Sequence, residues 1–156
     1  MKHIWSILCQ NSIIDSKTGL ISLFNCVEEI VLVVDKTKKP IVNKLVFPVQ
    51  LNLVSFWTVE NIKKDNIFEI KIELLDPDGK MPMSNFEKRI TVKKGKSRFR
   101  NVIIIPRLSI TKAGKYYFKL WQKGSNRDNF KLVAELPLDV KIRDQKFPGI
   151  NKNDVI

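Results

Sequence analysis

The chain has one histidine, His3, and two cysteines, Cys9 and Cys26, in 156 residues. With its only imidazole beside the N-terminus, it lacks the central member of Ser/His/Asp, Cys/His and histidine-based zinc constellations. No G-x-S-x-G elbow or H-E-x-x-H pair occurs either, so the commonest hydrolase designs are excluded. His3 reads as a solvated terminal residue. Two cysteines outside any C-x-x-C spacing make neither a disulfide framework nor a metal site. They read as reduced core residues, with an inter-strand bridge between them as the alternative. Six Gly and seven Pro are too few for a disordered or collagenous chain. Long apolar runs are missing too. Ile4 to Leu8 is too short for a signal peptide and is broken at Gln10 and Asn11, and nothing approaches the run of about 18 residues that a membrane span needs. These absences lead us to expect a cytoplasmic, non-enzymatic protein with no cofactor or metal and no membrane insertion.

What is present fits one globular domain. The apolar fraction of 44% and charged fraction of 28% are ordinary, and a chain of this length buries roughly 70% of its unfolded surface around a single core. The net charge of +12 stands out, as does the pI near 9.8; both invite an anionic partner. The surplus, however, comes from 22 Lys against 6 Arg in a chain also rich in Ile and Asn, a set favoured by AT-rich codons. Arginine is the residue of bidentate phosphate recognition, so a solvated, codon-biased surface and a polyanion site both remain open.

Alternation with a period of two dominates. Phe68, Ile70, Ile72 and Leu74 face one way and Glu69, Lys71 and Glu73 the other, the pattern of a strand with one wet face. From Phe130 to Ile142 the apolar positions Phe130, Leu132, Ala134, Leu136, Leu138, Val140 and Ile142 fall on one side, and the outward Pro137 predicts an edge or a bulge. Further strands are expected at Ile4–Asp15, Leu20–Asn25, Glu29–Val34, Leu45–Val59, Phe86–Val92, Arg98–Pro106 and Lys115–Gln122. Turn chemistry divides them at Ser16–Gly19, Asp76-Pro77-Asp78-Gly79, Lys94–Lys96 and Lys123–Asn126. Lys36–Pro40 is a polar loop, of the kind that carries binding surfaces at the ends of a sandwich. Residues 1–145 form the domain, and 146–156, without periodicity, are expected to fray. The pattern predicts an all-β, antiparallel β-sandwich of seven to nine strands.

Thr111-Lys112-Ala113-Gly114-Lys115-Tyr116-Tyr117-Phe118 resembles the tyrosine corner of immunoglobulin-like domains, in which Tyr116 would bond back to the upstream backbone. Phe118 stands where antibody domains have a cysteine. The chain from 1 to 142 also resembles a family of short, uncharacterised bacterial proteins with an immunoglobulin-like sandwich fold. That likeness lies in the Cys9 strand with Asp15–Gly19 and Leu20–Phe24, in Leu75–Gly79, and in Gly114–Phe118 followed by Val133–Leu138. It implies an immunoglobulin-like fold and no activity.

Four motifs are candidates for chemistry. Gly95-Lys96-Ser97 imitates the end of a phosphate-binding loop, but Ile90 stands where the first glycine belongs and strands flank it, so it reads as a hairpin turn. Asp76 and Asp78 suggest calcium, which needs six or more oxygens; a tight turn accounts for them better. Lys88, Arg89, Lys93, Lys94, Lys96, Arg98 and Arg100 crowd a single hairpin that could lie along a phosphate backbone. The interleaved Phe99 shares its face with Ile103 and Ile105 and so reads as core. Lysines on edge strands also deter pairing between molecules. Finally, Tyr117 and Trp121 lie opposite Tyr116, Phe118 and Leu120, and an outward aromatic pair would anchor a partner. The leading expectation is a module that binds a protein partner or itself through a strand edge or the Tyr117–Trp121 face. The alternative is polyanion or nucleic-acid binding by the basic hairpin.

Overall fold

The computed structural model describes residues 1–35, 45–124 and 128–145. The Lys36–Pro40 loop, the 146–156 tail and part of the Lys123–Asn126 turn lie outside them. The described residues form nine strands and no helix, hence none long and apolar enough to cross a membrane. The strands are β1 (Lys2–Ile14), β2 (Ile21–Cys26), β3 (Glu29–Asp35), β4 (Leu45–Thr58), β5 (Asn66–Leu75), β6 (Phe86–Val92), β7 (Arg98–Ile110), β8 (Gly114–Lys123) and β9 (Lys131–Gln145). They make two sheets, ordered β2-β1-β4-β7 and β3-β9-β8-β5-β6.

The expected alternation builds the core. Leu51, Leu53 and Trp57 of β4 meet Phe68, Ile70, Ile72 and Leu74 of β5, with Tyr116, Phe118 and Leu120 of β8 and Leu138 and Val140 of β9 closing the layer. An aromatic chain runs through one end: the His3 ring stands edge-on to Trp57 at 4.9 Å, Trp57 lies 5.3 Å from Phe68, and Phe68 lies 6.0 Å from Phe99. The indole N–H of Trp57, fully buried, donates to the equally buried Ser55 Oγ at 2.9 Å, so no donor is stranded.

Several expectations need correction. The sheets are not wholly antiparallel, because β3 pairs parallel to β9. No hairpin joins these two strands, so nothing local forces an antiparallel pair; β3 reaches the edge of the second sheet directly from β2 in the first. His3 is half-buried rather than solvated, packed on Trp57 with Nε2 at 2.8 Å from Ser6 Oγ, and burial lowers its pKa against the backbone bond at Trp5 that raises it. Cys9 is fully buried, as expected, but Cys26 is exposed. In β9 the register slips, so that Leu120 faces Ala134 but Trp121 faces Leu132. Val133 is the extra residue of this bulge, and it reverses the phase upstream. Leu132 is thereby 43% exposed beside Trp121 instead of lying in the core.

Three prolines sit inside strands, each where one flank of the strand has no partner. β9 pairs with β3 only from Asp139 onward, leaving Pro137 at a local edge. β1 leaves β4 after Asn52, freeing the Pro48 flank. β7 is the outermost strand of its sheet, which lets it run past Pro106 to Ile110.

The corner formed around Tyr116 joins two turns. Its hydroxyl accepts N–H bonds from Thr111 at 2.9 Å and Lys112 at 3.2 Å and donates to Lys112 O at 2.9 Å. The Thr111 hydroxyl in turn donates to Asp76 Oδ2 at 3.0 Å. Asp76 Oδ1 accepts the N–H groups of Asp78 and Lys80, so this carboxylate is engaged in its own turn rather than turned out toward a cation. Gly114 closes the corner at φ 139°, where a Cβ would come within 2.7 Å of Pro77 Cγ; only glycine fits there.

Tyr116→Phe is therefore expected to cost about 1–3 kcal/mol in urea unfolding with little change in slope, because it strands the partners of a buried hydroxyl. Burial works against the charge on Asp76, but the bonds from Lys80, Thr111 and Asp78 and the nearby Lys112 outweigh it and hold the carboxyl below its ordinary 3.8. A carboxyl lowered on folding stabilises the protein above its unfolded value, and that stability is lost as pH falls through the folded value. Unfolding measured from pH 5 down to 2 should show Asp76→Asn losing less stability with acid than the parent.

Candidate functional site

From Lys88 to Arg127 the sequence contains no Asp or Glu, while Lys and Arg recur throughout. The fold treats the two halves of this acid-free stretch differently. On β8 and the turn before it, each lysine meets a carboxylate supplied from elsewhere: Lys112 with Asp78, Lys115 with Asp139, Lys119 with Glu135 and Lys123 with Glu69. Antiparallel neighbours supply most of them, since Lys119 is registered between Glu73 and Glu135, and Lys123 opposite Glu69. Lys71–Glu73 at 2.8 Å and Lys141–Glu29 extend the lattice over the outer face of the β5, β8 and β9 sheet.

The β6–β7 segment has no such supply, and it is not the hairpin its sequence suggests: β6 pairs only with β5 and β7 only with β4, so the chain crosses here from the edge of one sheet to the edge of the other. Its turn is pinned by Asp65, whose carboxylate takes Lys93 Nζ and the Lys94 N–H, both at 2.9 Å; these bonds, the one from Lys93 foremost, lower the Asp65 pKa. Gly95, at φ 85°, donates its N–H to Ile62 O at 2.8 Å, so Gly95-Lys96-Ser97 lies in a turn that links the two sheets, and a strand rather than a helix follows it. Among the described residues Lys88, Arg89, Lys94, Lys96, Arg98 and Arg100 make no ion pair.

Four of the seven basic candidates converge. Lys93, Lys96, Arg98 and Arg100 line a cleft of about 410 Å³ together with Thr91, Phe99 and Ile14. Lys94 lies at the turn beside it, while Lys88 and Arg89 lie farther along β6, opposite Ile70 and Glu69. Phe99 packs against the core, as its alternation implied.

The remaining wall of the cleft is something the strand pattern did not announce. Beyond Cys9, β1 leaves β4 and pairs only with β2, as a hairpin arm. The arm folds back across the outer face of its own sheet: Ser12 Oγ lies 3.5 Å from Asn52 Nδ2, and at the tip Gly19 O accepts a 2.6 Å bond from the Arg100 guanidinium, two strands away. Val54 and Cys9 are completely buried. Asp15 shapes the tip by accepting the N–H groups of Lys17 and Thr18. The Arg100 guanidinium also lies 5.5 Å from the Phe56 ring, and its Nε is buried with no acceptor among the described residues.

Tyr117 and Trp121 share the outer face of the second sheet, as parity requires, but they are not contiguous: Lys119, paired with Glu135, stands between them. Both are half-buried. The Trp121 indole donates to Glu73 Oε2 at 2.7 Å, and Lys71 Nζ lies 5.1 Å from both the Trp121 and Phe130 rings. The aromatics of this face are thus packed and bonded by the chain itself. No group of His, Cys, Asp and Glu suited to a metal ion occurs among the described residues.

A family model described as a family of unknown function, DUF6941, matches residues 41–135, a span containing every basic and aromatic candidate but not the arm. No curated protein matches the chain.

Because Trp121 is packed and hydrogen-bonded in place, Trp121→Ala is expected to lower stability by about 1–3 kcal/mol in chemical denaturation. An unchanged unfolding midpoint would identify it instead as a free surface anchor.

Proposed function

Because the chain belongs to the family of unknown function DUF6941, which supplies no activity to carry over, we propose a role from its geometry: a non-enzymatic binding module that engages a polyanion through the cleft between the β6–β7 crossover and the β1–β2 arm. The observation carrying this reading is the uneven neutralisation of charge. Carboxylates cover the lysines of β8, while Lys96, Arg98 and Arg100 converge on one cleft with no counter-charge among the described residues. Clustered cations of this kind raise the local potential and attract phosphate or sulfate groups. Arg100 adds direction, since its buried Nε–H has no acceptor among the described residues. The non-enzymatic part of the reading draws support from His3, which is occupied by Ser6 and Trp57.

A protein partner or a second copy docking on the Tyr117–Trp121 face is the weaker reading, since those rings are already held by Glu73, Lys71 and their neighbours. We further read the two-sheet fold as an immunoglobulin-like sandwich. The bonds of the Tyr116 corner support this, and the parallel β3–β9 pair is a departure from it.

Retention on heparin and on mixed-sequence DNA across a salt gradient tests the proposal. The wild type is expected to elute well above physiological salt. Lys96→Glu with Arg98→Glu should weaken binding by about tenfold or more and flatten the salt slope by about two, one for each lost contact. Lys131→Glu with Arg143→Glu makes the same change in net charge away from the cleft and should leave binding near wild type. Equal losses in both double variants would mean a diffuse positive surface rather than a site.

A further inference from the structure

Cys9 and Cys26 occupy directly opposite positions at the root of the arm, where β1 parts from β4. Opposed residues of antiparallel strands place their side chains on one face with Cα atoms about 4.5–5.5 Å apart. Disulfides form over Cα separations of about 4.4–6.8 Å. Both thiols are free, and they differ in access: Cys9 is wholly buried, whereas Cys26 is exposed. Cys26 also lines two surface clefts, of about 430 and 330 Å³, giving a small disulfide room to approach.

We propose that Cys9 and Cys26 are a thiol–disulfide pair that closes the root of the arm under oxidising conditions, Cys26 reacting first and Cys9 resolving. The Cys26 thiolate attacks one sulfur of a low-molecular-weight disulfide such as oxidised glutathione, forming a mixed disulfide and releasing one thiolate. The Cys9 thiol then loses its proton to solvent and attacks Cys26 Sγ, expelling the second thiolate. Two protein thiols become one S–S bond, and the small disulfide is reduced to two thiols. The order follows from access and acidity. Burial, together with the nearby Cys26, pushes the Cys9 thiol up, so it is a poor first nucleophile in bulk solvent. Once Cys26 carries a leaving thiol directly across the strand gap, proximity compensates. The inference is independent of polyanion binding.

The test is incubation of the whole chain with oxidised glutathione, followed by non-reducing peptide mapping by mass spectrometry. The wild type should lose two hydrogens and yield one cross-linked peptide pair containing Cys9 and Cys26. Cys9→Ser should stop at a stable glutathione adduct on Cys26, while Cys26→Ser should leave Cys9 unmodified in the folded protein. A persistent glutathione adduct on wild-type Cys26, a bridge between two chains, or an unmodified wild type would each overturn the proposal.

Discussion

The structure turns on the pairing of the β8 lysines with carboxylates from the strands on either side. A strand with lysine at alternate outward positions lines up like charges, and it becomes a stable central strand when its neighbours carry the opposite sign at matching registers. β5 supplies Glu69 and Glu73, and β9 supplies Glu135 and Asp139. With so many carboxylates gathered on one face, the basic segment of β6 and β7 keeps few, Asp65 on Lys93 among them. Both are edge strands, one in each sheet, where exposed charge is solvated at little cost and discourages pairing with another chain. The cleft thus has a structural origin apart from the proposed use, and the proposal rests on the cations being convergent rather than merely numerous.

All nine strands were legible in the alternation, and so was the Tyr116 corner. What failed to show has identifiable physical causes. A period-two pattern carries no sign of a bulge, so Val133 reversed the faces of Leu132 and its predecessors unseen. Nor does it carry strand direction, which in the β3–β9 pair is decided by a crossing between sheets. The prolines were more informative: Pro137 did mark a local edge, and Pro106, read as the end of a strand, proved compatible with an outermost one.

The candidate site was legible in part. The basic cluster was visible, but the wall that Ile14 of the arm adds to its cleft was not. An isolated reading of Ile4–Asp15 and Leu20–Asn25 gives two strands and no hint that they fold back over the sheet. The length of the acid-free stretch from Lys88 to Arg127 was a usable signal. It separates into neutralised and bare halves only once the register of β8 is known. Trp121 shows the converse. Its outward parity was right, and yet an indole bonded to Glu73 is held by its own sheet.

The most direct measurement is an NMR titration of the chain with a short sulfated or phosphorylated oligomer, following backbone and arginine side-chain signals residue by residue. The account predicts saturable shifts confined to Lys93–Arg100 and the arm tip around Ile14 to Gly19, with the Arg100 Nε–H among the largest. Shifts centred on Tyr117 and Trp121, or spread evenly over every exposed lysine, would contradict it.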